Sequence, residues 1–221
     1  MTQAPGREAV EAWVLSSRIP VAPEAWSRID AFLALLAAES PKANLTADPP
    51  EAWWARHAAD GLAASGVLRR LAPGAPRLLD LGAGAGFVGF ALKAAWPAAD
   101  VTLMEPSEKK YRFLNLAAAR MGLQGLHVLK RAAAPGTDRG EYDAVLARAL
   151  APLPEALALA LPLARAGGLA AVFQTEAPSP AAPELARALS RRRAAPVENA
   201  AYRLPGEARD RHIAVFRKEP E

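Results

Sequence analysis

The residues that could do chemistry gather around one glycine-rich turn. Leu79-Asp80-Leu81-Gly82-Ala83-Gly84-Ala85-Gly86-Phe87 follows a short apolar run and opens a helical stretch, the setting in which such a turn has meaning. Glycines there permit positive φ and let the main chain approach a ligand closely. Glu105 ends the next apolar run, roughly twenty residues on, where a carboxylate can accept hydrogen bonds from both hydroxyls of a ribose. Turn and acid together select a ligand that contains a nucleoside. The competing reading is a packing turn, with Glu105 a solvated strand end. The placement of both features on the right elements disfavours it.

The last turn position separates two cofactor classes. A dinucleotide turn wants Gly or Ala there so that the helix can pack close, and this chain has Phe87. S-adenosylmethionine (SAM) has no phosphate and needs no free helix N-terminus. Its sulfonium and amino-acid tail need carbonyls and a carboxylate instead, and Asp80 is placed to help. SAM is therefore favoured over NAD. An NAD-linked oxidoreductase ranks last, because no base for hydride chemistry stands out.

Around the turn lie further candidates. His57 and Asp60 sit three apart on one helix face and can touch. They either line a cleft or tie the N-terminal helices to the core, and the structural role is favoured. Trp53 and Trp54 point to different faces, so at least one is read as core. Lys109, Lys110 and Arg112 either contact phosphates or solvate a helix, and Arg191-Arg192-Arg193 reads first as a solvated helix end. His212 is structural or at an RNA face, and His127 at a strand start is incidental.

The elements that would hold these residues follow from periodicity. Ala9–Leu71 reads as helical, with Ile29, Phe32, Leu33, Leu35 and Leu36 at helical spacing. Ser40-Pro41 is expected to end that helix, since the residue before proline avoids the helical region. A polar loop, Lys42–Pro50, follows. Asp48 is expected to cap the next helix, with Pro49 and Pro50 in its first turn and Glu51 three residues on. Pro73, Gly74 and Pro76 mark a boundary, dividing the chain into a helical extension (1–72) and a second unit (73–221).

From Arg77 strands and helices alternate. Strands are expected at Arg77–Leu81, Asp100–Met104, Leu126–Leu129 and Tyr142–Leu146. Gly167-Gly168 is expected to turn into a strand at Leu169–Phe173, and late strands are expected at Ala201–Leu204 and His212–Arg217. Helices are expected at Phe87–Ala95, at Glu108–Met121, from Leu146 to about Leu163, and at Pro183–Arg193. Alternation implies an α/β fold with a parallel sheet covered on both faces. The last two strands, joined only by a loop, are expected to pair antiparallel at the edge. The expected arrangement resembles the Rossmann-like architecture of class I SAM-dependent methyltransferases: a mostly parallel seven-stranded sheet with an antiparallel last strand, here with an N-terminal helical extension.

Composition bounds the rest. The 221 residues can bury a substantial core. With no cysteine, disulfides, thiolate zinc sites and thiol nucleophiles are excluded. The three histidines are not at metal-ligand spacing, so no metal is expected. No apolar run is long and clean enough to cross a bilayer, and Met1–Glu11 lacks the basic-then-apolar pattern of a secretory signal, so a cytosolic protein is expected. The net charge of +4 and pI near 9.7 suit a polyanion such as RNA, though arginine's dominance over lysine also fits biased codon usage.

Several of these segments together resemble the RsmG (GidB) family, bacterial methyltransferases of 16S rRNA. The resemblance covers most of the chain: Asn44-Leu45-Thr46, Arg56-His57-Ala58-Ala59-Asp60, Leu79–Gly89, Val101–Glu105, Lys109–Leu114, Arg131, Tyr142–Ala149, Gly167-Gly168 and Arg211–Val215. The glycine turn is shared by many methyltransferases, whereas the two N-terminal motifs ahead of it are far more specific. The resemblance implies a cytoplasmic enzyme, expected as a monomer. It would use SAM to methylate N7 of a guanine in the 530 loop of 16S rRNA, as RNA or in the 30S subunit. By position it assigns SAM contacts to Gly82, Gly84, Phe87, Glu105, Ala132, Ala133 and Arg148. Arg148 is the candidate for the catalytic placement of the guanine, since a guanidinium can donate two hydrogen bonds to the O6 edge or to a phosphate; the competing reading is an arginine paired with an acid in the core. His57, Asp60, Arg131 and His212 are the candidates for the substrate side. Four positions depart from the family pattern: Val88 replaces Pro, Glu105 replaces Asp, Gln174-Thr175 replaces a Lys-Gly pair, and Asp60-Gly61 replaces Asp-Ser. The loss of the lysine keeps two alternatives open, a methyltransferase with another substrate and a non-catalytic SAM-binding module for ribosome assembly.

Overall fold

The computed structural model describes residues 5–134, 140–179 and 181–220; the first four residues of the Met1–Glu11 stretch lie outside them. The N-terminal helices are α1 (Arg7–Ser16) and α2 (Ala25–Ala43), followed by a 3₁₀ turn (Pro50–Ala52), a π-helical turn (Trp54–Ala58) and α3 (Ala59–Leu71). Then come β1 (Arg77–Leu81), α4 (Phe87–Ala95), β2 (Asp100–Met104), α5 (Glu108–Met121), β3 (Leu126–Leu129) and β4 (Tyr142–Ala147). The chain closes with α6 (Leu153–Ala160), β5 (Ala164–Gln174), α7 (Pro183–Arg192), β6 (Ala194–Tyr202) and β7 (Arg211–Lys218).

The seven strands form one sheet in the order β3-β2-β1-β4-β5-β7-β6. β1 to β5 pair in parallel, and β7 runs antiparallel to both β5 and β6. Only the last strand is therefore reversed, as expected. Alternate residues of each strand face two cores. Leu78, Leu103, Leu146 and Ala171 pack against the N-terminal helices, α4 and α5. Leu79, Met104, Val145 and Val172 pack against α6 and α7. The N-terminal helices join the first core through aromatic rings. Phe32 stacks on Phe90 with centroids 4.3 Å apart, and Phe32 and Trp53 both meet Phe87 edge-on. Trp53 is buried and Trp54 half-buried against Trp26, so one of the pair is core, as expected.

The register fixes the site. Leu81 pairs with Met104 on one side and with Ala147 on the other. The next residue of each strand is Gly82, Glu105 and Arg148, so all three emerge side by side at the carboxyl edge.

Several local expectations are corrected. α2 runs through Pro41 and stops at Asn44, which takes the left-handed conformation (φ 46°) and donates its N–H to the Ser40 carbonyl. Proline costs one helical bond, and in a last turn that loss is small beside the burial of Leu33 and Leu36. Asp48 does not cap; Pro49 stands at the N-cap, and the Asp48 carboxylate turns to His57 instead. β5 starts at Ala164 rather than after the glycines. Tyr142 pairs with Ala164 and Ala144 with Leu169, so Arg165–Gly168 bulge out within the strand. α6 ends at Ala160, short of Leu163. β6 starts at Ala194, well before Ala201, after the left-handed Arg193 (φ 47°) reverses the chain. Its Pro196 is tolerated because the strand is an edge.

Candidate active site

At the edge where Gly82, Glu105 and Arg148 emerge, a cavity of about 540 Å³ opens. Gly82, Gly84, Phe87, His57, Asp80 and Arg148 line it, with the loop Asn44–Ala47 and the residues Lys109 and Lys110 around it. Gly82, Gly84 and Gly86 all have positive φ (72°, 60° and 89°), so a side chain at any of them would strain the turn. At Gly84 a Cβ would meet nothing nearer than the Gly82 carbonyl at 4.0 Å; the main chain there faces open space. Ala149, directly after Arg148, holds φ 52° without being glycine, a strained conformation of the kind that clusters at functional sites.

Glu105 is buried and sets the shape of the turn. One carboxylate oxygen accepts the Gly84 N–H at 2.9 Å, and the other accepts the Ser107 N–H at 2.8 Å. Each oxygen keeps a second lone pair for a ligand hydroxyl. Asp80 is also buried, and it accepts the Gly89 N–H at 2.9 Å. Burial pushes its carboxyl up to about 6, with the charge of Glu105 adding and Arg148 and the Gly89 amide opposing. Gly89 has no room for a side chain: a Cβ would fall 2.1 Å from Leu103 Cδ2 and 2.9 Å from the Asp80 carboxylate.

On the far wall a polar network holds Arg148. Its Nη1 donates to Asp60 Oδ2 at 2.8 Å and to His57 Nδ1 at 2.9 Å, with the Arg56 carbonyl at 3.3 Å. Asp60 is 1% exposed and also accepts from Arg211 Nη1 (2.9 Å) and the Tyr202 hydroxyl (2.6 Å). Burial first, and then Asp60, holds the Tyr202 hydroxyl far above its ordinary range, so it stays a donor. His57 Nε2 lies 2.9 Å from Asp48 Oδ2, and its ring stacks on Phe87 with centroids 4.4 Å apart. Burial and the Arg148 charge lower its pKa against the pull of Asp48 and Asp60. His57 and Asp60 thus meet through Arg148 rather than directly.

The structure gathers Gly82, Gly84, Phe87, His57 and Arg148 on the cavity, with Glu105 and Asp60 one hydrogen bond behind. Ala132 and Ala133 follow β3 at the same sheet edge without lining the cavity; Ala132 is exposed and Ala133 half-buried. Arg131 precedes them, half-buried and also outside the lining. His212 lies on β7 opposite Gln174, with its Nδ1 3.2 Å from the Asn199 amide. His127 faces Asp100 at 3.2 Å. Arg112 pairs with Glu108, and Arg193 with Glu219. Arg211 and Tyr202 join the site with no local signal in the sequence, because their bonds to Asp60 span 151 and 142 residues of chain. Asp48 does carry a signal, but it is that of a cap.

The cradle fits an adenosine-bearing cofactor. A cavity of this size falls within the roughly 300–1,000 Å³ of small-molecule sites. Its floor is main chain freed of side chains, with the buried Asp80 in its lining and the buried Glu105 bonded to the Gly84 amide behind it. Among the described residues no group of three His, Asp or Glu is placed to hold a metal ion, and no helix is long and apolar enough to cross a membrane.

Comparison with solved structures agrees with the topology. A Burkholderia thailandensis 1,6-didemethyltoxoflavin-N1-methyltransferase, solved with 1,6-didemethyltoxoflavin and S-adenosylhomocysteine, superposes with a TM-score of 0.56 at 18% identity, covering 90% of this chain and 91% of its own. TYW2 of M. jannaschii, solved with AdoMet, gives 0.55 at 11% identity over 72% of this chain and 74% of its own. The fold is that of the class I SAM-dependent methyltransferases. In sequence, a profile described as GidB, rRNA small subunit methyltransferase G, matches residues 26–202. The ribosomal RNA small subunit methyltransferase G of Myxococcus xanthus (strain DK1622) is 40% identical over 210 residues, 91% of this chain and 92% of its own. That of Streptococcus equi subsp. zooepidemicus (strain H70) is 34% identical over 201 residues, 88% and 83%. With the profile spanning well over half of the chain and these relatives matched across most of their length, the chain belongs to the rRNA small subunit methyltransferase G (GidB) family.

Proposed function

We propose that this protein is a SAM-dependent 16S rRNA methyltransferase that methylates N7 of a guanine in the 530 loop. The observation that carries the choice of atom is what lines the cavity: a guanidinium fixed by its neighbours, with the candidate bases already committed. His57 is engaged by both Asp48 and Arg148, and Asp80, which lines the cavity and accepts the Gly89 N–H, is assigned to the ammonium of the cofactor. Such a site suits a nucleophile that already owns a lone pair. Guanine N7 is one, and no proton has to leave before it attacks.

When bound, SAM supplies a methyl group on a sulfonium, open to in-line displacement. The chain's part is placement. Gly82 and Gly84 would let the main chain approach the cofactor, Glu105 would offer lone pairs to its ribose, and Asp80 would hold its ammonium. Ala132 and Ala133 would offer main chain to the adenine. Arg148 spends Nη1 on its own support, and among the described residues Nε and Nη2 have no partner. That edge can donate to the guanine O6 or to a neighbouring phosphate. Holding two reactants in line can supply roughly 7–11 kcal/mol. Because N7 lies in a groove side chains cannot reach in A-form RNA, the target guanine comes from a loop or is extruded. Arg131 and His212 belong to the outer substrate side, at the same sheet edge. Residues 1–72 serve as a helical extension that brings Asn44–Ala47, His57 and Asp60 to the catalytic domain 73–221. The protein works as a monomer in the cytoplasm.

The test is mass spectrometry of small-subunit RNA from a strain lacking this gene, with purified protein added back to its 30S subunits and to naked rRNA. Loss of one N7-methylguanine in the 530 loop and its restoration are expected. An unchanged modification would reject the function. Gln174 favours a second reading: its amide donates to its own Phe173 carbonyl and offers no cation at the end of β5. Labelled methyl transfer to another molecule, with none to rRNA, would support that diverged substrate.

A further inference from the structure

We infer that His57 is a positioning residue: as a neutral imidazole locked in its Nε2–H tautomer by Asp48, it fixes the guanidinium of Arg148 so that the Nε–Nη2 edge points into the cavity. The inference rests on the methyltransferase reading of the cavity, but the geometry that carries it does not.

The bonding pattern leaves one assignment. Arg148 Nη1 can only donate, so the His57 Nδ1 at 2.9 Å must accept and carries no proton. The neutral ring then holds its proton on Nε2, which donates to Asp48 Oδ2 at 2.9 Å. Nη1 has two hydrogens, and its two short contacts are His57 Nδ1 and Asp60 Oδ2, with the Arg56 carbonyl at 3.3 Å a weaker, shared acceptor. Two acceptors on two elements thus define the plane of the guanidinium, where one carboxylate would leave it free to pivot. Phe87, stacked on the imidazole face, holds the plane of the ring, and the two nitrogen contacts fix which way round it sits.

The local backbone supports the same role. His57 lies in the π-helical turn Trp54–Ala58, between a 3₁₀ turn and α3. π-turns are rare and concentrate at functional positions. Here the turn brings the His57 ring and the Arg56 carbonyl to Arg148 together. Asp48 lies nine residues earlier, next to the loop that lines the cavity mouth, so the loop and the arginine are joined through one ring.

Protonation would undo the arrangement. An N–H on Nδ1 would face the Arg148 donor and set two cations together. The charges that bear on His57 are Asp48 before it, Asp60 on α3 and Arg148 after β4. Arg56 lies beside it in the chain, and Asp80 and the Lys109-Lys110 pair share its cavity. Burial and Arg148 outweigh the two nearer carboxylates and keep the ring neutral at neutral pH. Transfer is therefore expected to fall on the acid side as His57 takes up its proton.

Two measurements decide the matter. The first needs no substrate: the full chain with labelled histidine, observed by nitrogen NMR at neutral pH, should show His57 with a bare Nδ1 and a protonated Nε2. An Nδ1–H tautomer or an imidazolium would overturn the proposal. The second uses steady-state transfer to unmethylated 30S subunits. His57→Ala should lower kcat on the order of 100-fold, the cost of about 1 Å of misplacement, with KM changed little. His57→Gln, whose amide can accept from Arg148 and donate to Asp48, should recover most of it and lose the acid limb of kcat measured at saturating SAM, where Asp80 is held ionised. Glutamine no better than alanine, or an unchanged limb of kcat in His57→Gln, would overturn the assignment. Calorimetry with S-adenosylhomocysteine and a thermal melt keep folding apart, since His57→Gln should bind and melt as the parent does. If the parent transfers nothing to 30S or rRNA, the functional reading falls, and the NMR arm alone decides the role of His57.

Discussion

Asp60 illustrates how much one buried carboxylate can organise. It accepts from Arg148, Arg211 and Tyr202, so the end of β4, the start of β7 and the end of β6 are all tied to α3. The two guanidiniums are largely withdrawn from water, with side-chain exposures of 23% and 25%. Removing a partner from such a pair costs more than the pair is worth against an apolar substitute, because a desolvated charge is left alone. Asp60→Ala should therefore lower the unfolding free energy by about 3 kcal/mol, at the lower end of the usual range because the arginines keep some solvent. Urea denaturation checks this. Asp60→Asn keeps an acceptor and should cost less. Equal losses for the two variants would mean that charge, not hydrogen bonding, holds the network.

Packing between elements explains one residue that the sequence alone shows only as a departure from the family. Gly61 sits where α3 crosses α4, and a Cβ there would fall 2.5 Å from the Val88 carbonyl and 2.8 Å from Ala91 Cβ. Gly61→Ser, which restores the family's usual residue, should thus destabilise this chain by about 1–3 kcal/mol, the usual cost of overpacking. A melting point unchanged or raised would show that α3 can shift outward. The same division between local and tertiary causes governs what is legible in the sequence. β1, α4, β2, α5 and β3 follow from hydrophobic period and glycine placement, which are local signals. Glu105 and the turn are readable because both sit at strand ends with fixed spacing. β6 reads too short in sequence because Pro196, Glu198 and Asn199 carry little strand preference, and its pairing with β7 decides. Asp48 reads as a cap because a carboxylate ahead of two prolines has that pattern, and only tertiary structure brings His57 within 2.9 Å of it.

At the scale of the molecule, charge couples to both ligands. Lys109 and Lys110 line the cavity beside the turn, two cations placed to meet phosphates of an RNA whose guanine enters it. Replacing both with alanine should weaken binding to 30S or rRNA. It should also flatten the dependence of log K on log salt by about 0.7 for each phosphate no longer neutralised. An unchanged slope would place the RNA elsewhere. Protons couple to the cofactor through Asp80, whose carboxyl is raised from 3.8 to about 6 by burial. Between those values the folded chain keeps a proton that the unfolded chain has released. The stability this gives is full below pH 3.8 and is lost as pH rises through about 6, a swing of roughly 3 kcal/mol. At neutral pH the protein therefore holds a buried, ionised carboxylate at a cost, and a ligand ammonium placed beside it would offset that cost. Binding would pull the Asp80 pKa down and expel its proton. Calorimetry of S-adenosylhomocysteine binding at pH 6, in buffers of different ionisation enthalpy, should show release of about half a proton per ligand. At pH 8 release should vanish, since Asp80 is already ionised. Asp80→Asn should abolish it at pH 6 while leaving any contribution from His57 in place. Binding enthalpies at pH 6 that do not vary with buffer would remove Asp80 from the ligand's ammonium and leave its raised pKa a consequence of packing under α4 alone.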